Sequence, residues 1–458
     1  MPSEIAPTSF RGILGERNFA LLWYGQIISS FGDRFYQFAL LSVILGIKAG
    51  MDAGKDAARV TFCAMLPGIL LAPLYGWLVD RYSRRWVMFY ADIARAGLTL
   101  MILDLWFHSH SLPAVFAIVF LMGAFNGLFI PARQAALPQI VSSRQLIPAN
   151  SLISLIGVIA NFIGTPIASF VVSIFGARSS FLFNSLGFLA SAWCIYHIKS
   201  DLLPDRHQLD ASEHDKVGTW RGALAGWRVL REQRELGALV LVNSAFLFIS
   251  AMVLITILQQ IVVTVDLTSV HLLVNTLTKF LSMFAPKPPV FEIKLLAFGL
   301  LMAAIGLGLG VGVAVCGASK RRSRSKALPY IALALLGVAL IGFAWVQEYW
   351  PAVVGAGFMG MLSAFILIPI EARLQNDVDD ARRGRVFALR NLCTTTSFLL
   401  GLTVNLNGTL LAKVGPPRLI EYIGIGAIAI AALLAFANAS TLRSFWSTHP
   451  PKSPNSPE

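Results

Sequence analysis

Apolar runs long enough to cross a lipid bilayer are the feature of this sequence that most constrains its fold. A helix of ~20 residues rises about 30 Å, which is the thickness of the hydrocarbon core. The runs lie near 19–47, 59–79, 86–107, 112–131, 149–174, 179–198, 236–263, 292–318, 327–346, 350–371, 386–411 and 419–439. We therefore predict an all-α membrane protein with twelve transmembrane helices.

The composition excludes a soluble globular fold. Only 13% of the residues are charged, 56% are hydrophobic and the mean hydropathy is +0.68, whereas soluble domains carry about 25% charged residues. In a soluble protein a net charge of +13 would suggest nucleic-acid binding. Here the basic residues lie mainly between the apolar runs, so we expect the lipid bilayer as a partner and no nucleic acid.

The distribution of Lys and Arg predicts the orientation, because cytoplasmic loops are enriched in both. If the N-terminus is cytoplasmic, the inside segments hold 25 of the 37 basic residues and the outside loops hold 8. We therefore expect both termini in the cytoplasm, in a multi-pass protein of a bacterial-type inner (plasma) membrane.

A polar stretch divides the chain into two halves. Within it, the residues 220–235 have an amphipathic pattern that predicts a helix at the headgroup level. The predicted units are an N-terminal six-helix bundle at 1–198, a cytoplasmic connector at 199–235, a C-terminal six-helix bundle at 236–440 and a disordered tail at 441–458. The segment 264–291 carries a helical apolar stripe and is either an interfacial helix or an extension of helix 7.

The two halves repeat one another. Helix 4 runs into FIPARQ (129–134) and helix 10 into IPIEAR (368–373), while helices 2 and 8 both lead into short basic loops. Secondary transporters are built from such repeats and bind substrate between the halves near the bilayer midplane. We therefore predict two pseudo-symmetric six-helix bundles around a central site.

The loop between helices 2 and 3 combines a glycine, a carboxylate and three arginines. Gly76 would let a neighbouring helix approach closely, and Asp80 offers a carboxylate to the positive N-terminal end of a helix. Arg81, Arg84 and Arg85 stay charged at every accessible pH and hold the loop on the cytoplasmic side.

This pattern resembles the signature loop of the major facilitator superfamily, Gly-x-x-x-Asp-Arg-x-x-Arg-Arg in outline. The resemblance implies that Asp80 binds the N-terminal end of helix 11, at 384–386 with Arg385, when the cytoplasmic side is closed. The corresponding loop of the second half, 320–324, keeps the basic residues but has no Asp.

Further segments resemble the branch that holds macrolide exporters and the enterobactin exporter, which lies close to lysophospholipid transporters. They are FALLW (19–23), SFGD (30–33), PARQAALP (131–138, with Arg133), ANSL (149–152) and GRVF (384–387). The resemblance implies an efflux permease, often a drug/proton antiporter associated with multidrug resistance. Helix 5 departs from the antiporter pattern, because it reads GTPIAS (164–169) where such proteins have a Gly-Pro-x-x-Gly-Gly-like stretch.

Helix 1 carries a continuous polar face inside an apolar run. Gln26, Ser30, Asp33 and Gln37 recur at positions i, i+4, i+7 and i+11, on one side of a helix. A charge at this depth costs several kcal/mol unless it faces a cavity or a partner. This face is our candidate for substrate binding and proton coupling.

Two interpretations of Asp33 remain open from the sequence. The carboxylate either pairs with adjacent Arg34 or with Arg390 of helix 11 and so holds the bundle together, or it titrates during transport. We expect further residues of helices 5 and 11 to line the same cavity, namely Asn161, Thr165, Arg390 and Thr394. Asp92 and Arg95, three residues apart on helix 3, are predicted to form an intrahelical pair.

No motif in the sequence indicates an enzyme, a cofactor or a metal site. There is no Gly-Lys-Ser/Thr phosphate-binding loop, so the expected driving force is an ion gradient. We expect proton-coupled export of a small amphipathic solute, such as a drug, a macrolide or a siderophore, by a monomer. The alternatives are a lysophospholipid or other lipid translocator, and a membrane sensor or scaffold that transports nothing.

Overall fold

Among the residues that it describes, the computed structural model consists of helices and the short segments between them. It describes residues 10–47, 51–108, 111–142, 145–199, 202–203, 231–281, 290–318, 327–378, 380–406 and 409–437. The helices of the first half are α1 (Phe10–Gly15), α2 (Arg17–Ile47), α3 (Met51–Leu70), α4 (Ala72–Arg81), α5 (Arg84–His108), α6 (Leu112–Ile140), α7 (Leu146–Ile159), a π-helical turn (Ala160–Gly164) and α8 (Thr165–Tyr196).

The second half follows the same plan. Its helices are α9 (Arg234–Val263), α10 (Thr268–Leu281), α11 (Val290–Ala318), α12 (Leu328–Ala344), α13 (Tyr349–Asp377), α14 (Asp380–Leu406), α15 (Thr409–Val414) and α16 (Pro416–Ala437). The predicted connector helix and the C-terminal tail lie almost wholly outside the described residues.

Helices occupy each of the apolar runs, which confirms the helical prediction. Seven described helices are long and apolar enough to cross a membrane, and the pair α3 and α4 adds one broken span with a bend of 56°. Pro73 explains this bend, because it lacks the N–H that would continue the helix from α3 into α4. The crossing of all twelve segments stays a prediction.

Three helix bounds differ from those predicted. Helix α6 continues to Ile140, and α13 continues to Asp377, although the apolar runs end near 131 and 371. Helix α14 begins at Asp380, so 384–386 is not the N-terminal end of helix 11. Hydropathy marks only the part of a helix that lies in lipid, whereas the backbone hydrogen bonds of a helix continue into the polar region.

The predicted fifth and sixth helices form one long element with two irregularities. The π-helical turn precedes α8, whose second residue is Pro166. Gly176 has φ 77° and ψ 172° and marks a kink within α8. Only glycine adopts this backbone conformation without strain. The kink separates the two predicted spans.

The segment 264–291 contains a separate helix, α10, so it is not an extension of helix 7. Asp266 precedes α10, and its carboxylate accepts hydrogen bonds from the Thr268 N–H at 2.9 Å and from the Thr268 hydroxyl at 2.6 Å. These hydrogen bonds hold the pKa of Asp266 below its usual range. Val270 is fully buried and fixes the start of α10 against the bundle.

The two halves contact each other mainly at one end of the molecule, which we call the closed end. There α3 packs against α9 and α14, and α8 packs against α11. The rings of Phe38 and Phe298 meet across this contact with centroids 6.2 Å apart. At the other end, α4 packs against α3, α5 and α6, all within the first half. We call the end that carries α4 and α7 the open end.

Two glycines allow the halves to approach at the closed end. A Cβ atom at Gly54 of α3 would collide with the amide of Gln259, and one at Gly299 of α11 would collide with the side chain of Ser169. A side chain at Gly299 would therefore displace α8 at Ser169, whereas one at Gly54 would require the flexible side chain of Gln259 to move.

Candidate functional site

The polar face of α2 runs from a buried position in the first half to an exposed one. Gln26 is buried, Ser30 and Asp33 are partly buried, and Gln37 is exposed. The side-chain oxygen Oε1 of Gln26 accepts a hydrogen bond of 2.6 Å from Nη1 of Arg133 on α6. The predicted polar face thus contacts α6 through Arg133. The sequence had singled out Arg133 only as part of the segment 131–138.

Asp33 lies beside a buried ion pair. The carboxylate of Asp33 interacts electrostatically with Arg95 of α5 and with Arg34. Asp92 and Arg95 form the predicted intrahelical ion pair, with side chains that are 0% and 4% exposed. Their pairing is therefore confirmed, but the pair is also close to Asp33, which the sequence did not indicate.

Arg95 also connects α5 to two other helices. Its Nη1 donates to the side-chain oxygen Oδ1 of Asn126 on α6 at 3.3 Å, and its guanidinium lies over the rings of Phe129 and Phe188 at 4.7 Å and 4.3 Å. Sequence analysis missed Asn126. A signal was present, since Asn126 and Arg133 are seven residues apart and therefore lie on the same side of α6.

Arg34 does not lie at ion-pair distance from Asp33, so the pairing that one interpretation of the sequence proposed is not formed in the structure. Its Nη1 donates to Gln37 on the same helix at 3.0 Å and to Asn161 of the π-helical turn at 3.1 Å. The structure thus brings together three of the predicted residues. The π-helical turn also packs against α11 of the second half, so this contact lies next to the junction of the halves.

The alternative pairing of Asp33 with Arg390 is also not formed in the structure. Nη2 of Arg390 lies 2.8 Å from the Glu371 carboxylate on α13, which is a nearer partner within the same half. The hydroxyl of Thr394 donates to the backbone oxygen of Arg390 at 2.9 Å. Thr165 is buried at the start of α8.

The second half contains another arginine contact that the sequence did not indicate. Arg373 of α13 lies 3.4 Å from the carboxylate of Glu235 on α9. Arg133 and Arg373 occupy corresponding positions in the repeated segments, and each contacts the first long helix of its half. The repeat therefore extends to these contacts, although the acceptor is Gln26 in one half and Glu235 in the other.

The motif between helices 2 and 3 lies at the open end. Asp80 is exposed, and a Cβ atom at Gly76 would meet open space. In this conformation no described helix approaches Gly76 closely, and among the described residues α4 has no major packing contact with the second half. The side chain of Arg385 lies outside the described residues, so the gating contact stays a prediction.

The arginines of this motif have distinct surroundings. Arg81 lies over the ring of Trp77 at 5.5 Å. Arg84 is buried, and its backbone N–H donates to the oxygen of Leu202 at 3.1 Å. Arg85 donates to the backbone oxygen of Tyr196 and lies over the ring of Trp86. The motif is thus fixed to the end of α8.

An apolar groove runs between α2 and the second part of α8. Its volume is about 520 Å³, and its lining includes Ile28, Phe31, Phe35, Phe183 and Leu186. Ile28, Phe183 and Leu186 are exposed. The groove therefore offers an apolar surface on the first half, next to the helix that carries Asp33.

Comparison with known sequences identifies similarity over most of the chain. The model of the Major Facilitator Superfamily matches residues 22–402. An uncharacterised MFS-type transporter of Mycobacterium tuberculosis is 27% identical over 410 residues, 86% of each chain. Macrolide efflux protein A of Streptococcus pyogenes is 26% identical over 236 residues, 50% of this chain and 55% of that protein.

A shorter sequence match and a solved structure are also similar to this chain, the structure in its fold. The match to the uncharacterised MFS-type transporter YfiS of Bacillus subtilis, at 25% identity, spans 41% of this chain and 43% of that protein. The crystal structure of a bacterial homologue of the iron transporter ferroportin, in an inward-facing state, superposes with a TM-score of 0.64. It is 16% identical and covers 92% of this chain and 98% of its own.

Proposed function

The chain belongs to the Major Facilitator Superfamily, and from this premise we propose that it exports a small amphipathic solute by alternating access, coupled to protons. The proposed solutes are drugs, macrolides or siderophore-like compounds. The observation that carries the proposal is the packing of the two halves, which meet at one end and separate at the other around ionisable side chains. Alternating access requires such a state and its counterpart.

The distribution of charged residues in the loops indicates which side of the membrane the open end faces. The open end carries α4 and the basic loop that follows it, which the distribution of Lys and Arg assigns to the cytoplasm. On that assignment the structure is the cytoplasm-facing state, in which a transporter of this kind would take up an exported solute.

Asp33 is the residue proposed to couple proton movement to transport. It lies near the middle of α2, which the sequence predicts to cross the membrane, and it accepts no hydrogen bond from a described residue. Protonation would remove the electrostatic interaction of Asp33 with Arg95 on α5 and with Arg34. Arg34 in turn binds Asn161 of the π-helical turn. A proton on Asp33 would therefore change the contacts of the helices that surround the central site.

Translocation of a lysophospholipid or another lipid is the second candidate function. The groove between α2 and α8 favours it, because its apolar lining at the surface of the first half suits an acyl chain. A sensor or scaffold with this fold is the remaining alternative, of another class.

A transport assay separates these functions. The purified protein would be placed in proteoliposomes, with and without an imposed pH gradient, and given a macrolide, a catechol siderophore or lysophosphatidylethanolamine. Gradient-dependent accumulation of the macrolide or the siderophore supports proton-coupled export. Movement of the lysophospholipid alone supports the lipid function, and no movement of any solute supports a sensor or scaffold.

A further inference from the structure

The guanidinium of Arg34 has hydrogen-bond donors that no acceptor among the described residues satisfies. Both of its hydrogen bonds leave from Nη1, toward the neutral side-chain oxygens of Gln37 and Asn161. Its Nε is buried and has no hydrogen-bond partner in the part of the chain that the structure describes. Within the described ranges no carboxylate lies at ion-pair distance from Arg34. A guanidinium binds carboxylate and phosphate through two parallel N–H donors, and the edge formed by Nε and Nη2 remains for this purpose.

The position of Arg34 faces the junction of the two halves. Phe38 lies four residues further along α2 on the same side of the helix, and it contacts Phe298 of the second half. Asn161, which holds Arg34, belongs to the π-helical turn, and such turns occur frequently at functional sites. The cation is therefore placed where a solute between the halves would meet it.

The charges around Arg34 favour an anion. Among the described residues, the arginines linked by electrostatic interactions to Asp33 or to one another are Arg34, Arg95 and Arg133, and the carboxylates of the same group are Asp33 and Asp92. Asp92 is bound to Arg95, and Arg133 is held by the neutral oxygen of Gln26. One positive charge thus exceeds the carboxylates even when Asp33 is ionised.

We propose that Arg34 binds the anionic group of the solute, so that the transported amphiphile carries a carboxylate or a phosphate. This inference rests on the proposed function and narrows it, because most cationic drugs would be poor substrates. Gln37 and Asn161 are positioning residues, since they hold Nη1 and so orient the free edge of the guanidinium.

Binding of three octyl amphiphiles tests the proposal without requiring transport. Octyl phosphate, octyl glucoside and octyltrimethylammonium share one apolar chain and differ in charge. Their Kd values would be measured by titration of the protein in phosphatidylcholine nanodiscs. We expect octyl phosphate to bind most tightly, and Arg34→Gln to weaken it about tenfold or more, the effect of losing a charge-assisted hydrogen bond. The same variant should leave octyl glucoside binding unchanged.

Two further variants keep the test independent of folding defects. Gln37→Glu retains Arg34 and nearly the same side-chain shape but supplies an internal carboxylate, so it should also weaken octyl phosphate binding. Arg418→Gln removes an arginine from an exposed position on α16 and should change nothing. Tighter binding of octyltrimethylammonium, or octyl phosphate binding that is unaffected by Arg34→Gln and Gln37→Glu, would overturn the proposal.

The source of the anion and the proposed function are tested by separate arms. Competition by phosphatidylglycerol in the nanodisc, in wild type but not in Arg34→Gln, supports the site with a lipid headgroup as ligand. Equal affinity for inorganic phosphate and octyl phosphate supports the anion site but overturns the amphiphilic nature of its ligand. If octyl phosphate binds through Arg34 but no solute moves in proteoliposomes, the site stands and the transport function fails. If a solute accumulates in proteoliposomes and Arg34→Gln leaves this accumulation unchanged, the transport function stands and the proposed anion site fails.

Discussion

Asp33 is the residue whose charge is expected to link proton movement to the central site. We predict that Asp33→Asn abolishes accumulation driven by a pH gradient but retains solute binding and downhill exchange, because the amide cannot take up a proton. Uptake and counterflow in proteoliposomes measure the two activities separately. Loss of binding would identify Asp33 as a substrate or packing ligand, and unchanged driven transport would place the coupling site elsewhere.

The pair formed by Asp92 and Arg95 is expected to contribute to stability. Removal of one partner of a buried ion pair costs about 3–5 kcal/mol, whereas replacement of both by apolar residues is often nearly neutral. We predict that Arg95→Met lowers the free energy of unfolding in mixed micelles by about 3 kcal/mol. The double variant Asp92→Leu/Arg95→Met should be less destabilised than Arg95→Met alone. Equal stability of wild type and Arg95→Met would contradict a structural role.

The individual polar residues of the site could be identified from the sequence more easily than their contact partners. Polar side chains inside apolar runs marked Asp33 and its neighbours on α2, together with Asp92 and Arg95. The contact of Arg34 with Asn161 joins positions 127 residues apart. Whether Arg34 meets Asn161 or Asp33 depends on the packing of α2 against the π-helical turn, which helical spacing within α2 does not encode.

Among the elements, α4 carries the carboxylate that is expected to act in gating. We predict that Asp80→Asn removes transport while membrane insertion and the melting temperature remain close to those of wild type. Asp80 is exposed in the structure, so its negative charge is needed only when α14 approaches α4. Wild-type transport rates in this variant would show that Asp80 has only a topological role.

The contact between α8 and α11 closes one end of the molecule through Gly299. We predict that Gly299→Val prevents this closure and abolishes transport, because the new side chain would occupy the space of Ser169. In a variant without its four native cysteines, Ser173→Cys would report closure, since Ser173 is buried. Labelling by a water-soluble maleimide should increase with Gly299→Val. Gly310→Val is the matched control, because a side chain there meets open space on the same helix.

Helix positions could be predicted from the apolar runs, but helix ends and bends could not. The runs located α9 and α11 closely, whereas α6 extends about nine residues beyond its run. The turn at Ala160–Gly164 and the bend between α3 and α4 arise next to prolines. A proline indicates that a helix is interrupted, and the neighbouring helices determine the angle.

The assignment of the open end to the cytoplasm depends on the orientation of the whole molecule in the membrane. A cysteine introduced within 320–326 should be labelled only from the cytoplasm, and His110→Cys only from outside. The reason is the excess of Lys and Arg in the segments assigned to the cytoplasm. Impermeant maleimide applied to intact cells and to inverted vesicles measures this, and the reverse labelling pattern would contradict the charge count.

The sequence by itself determined that this protein is embedded in lipid, that it is helical, that its two halves repeat one another and that it resembles a known family. These properties follow from hydropathy, loop charge and short motifs, all of which act locally along the chain. Only the tertiary structure decided which end of the molecule is closed, that Arg390 binds Glu371, and that Arg34 is held by Asn161. Those outcomes depend on contacts between distant helices, whose relative positions result from side-chain packing across the whole bundle.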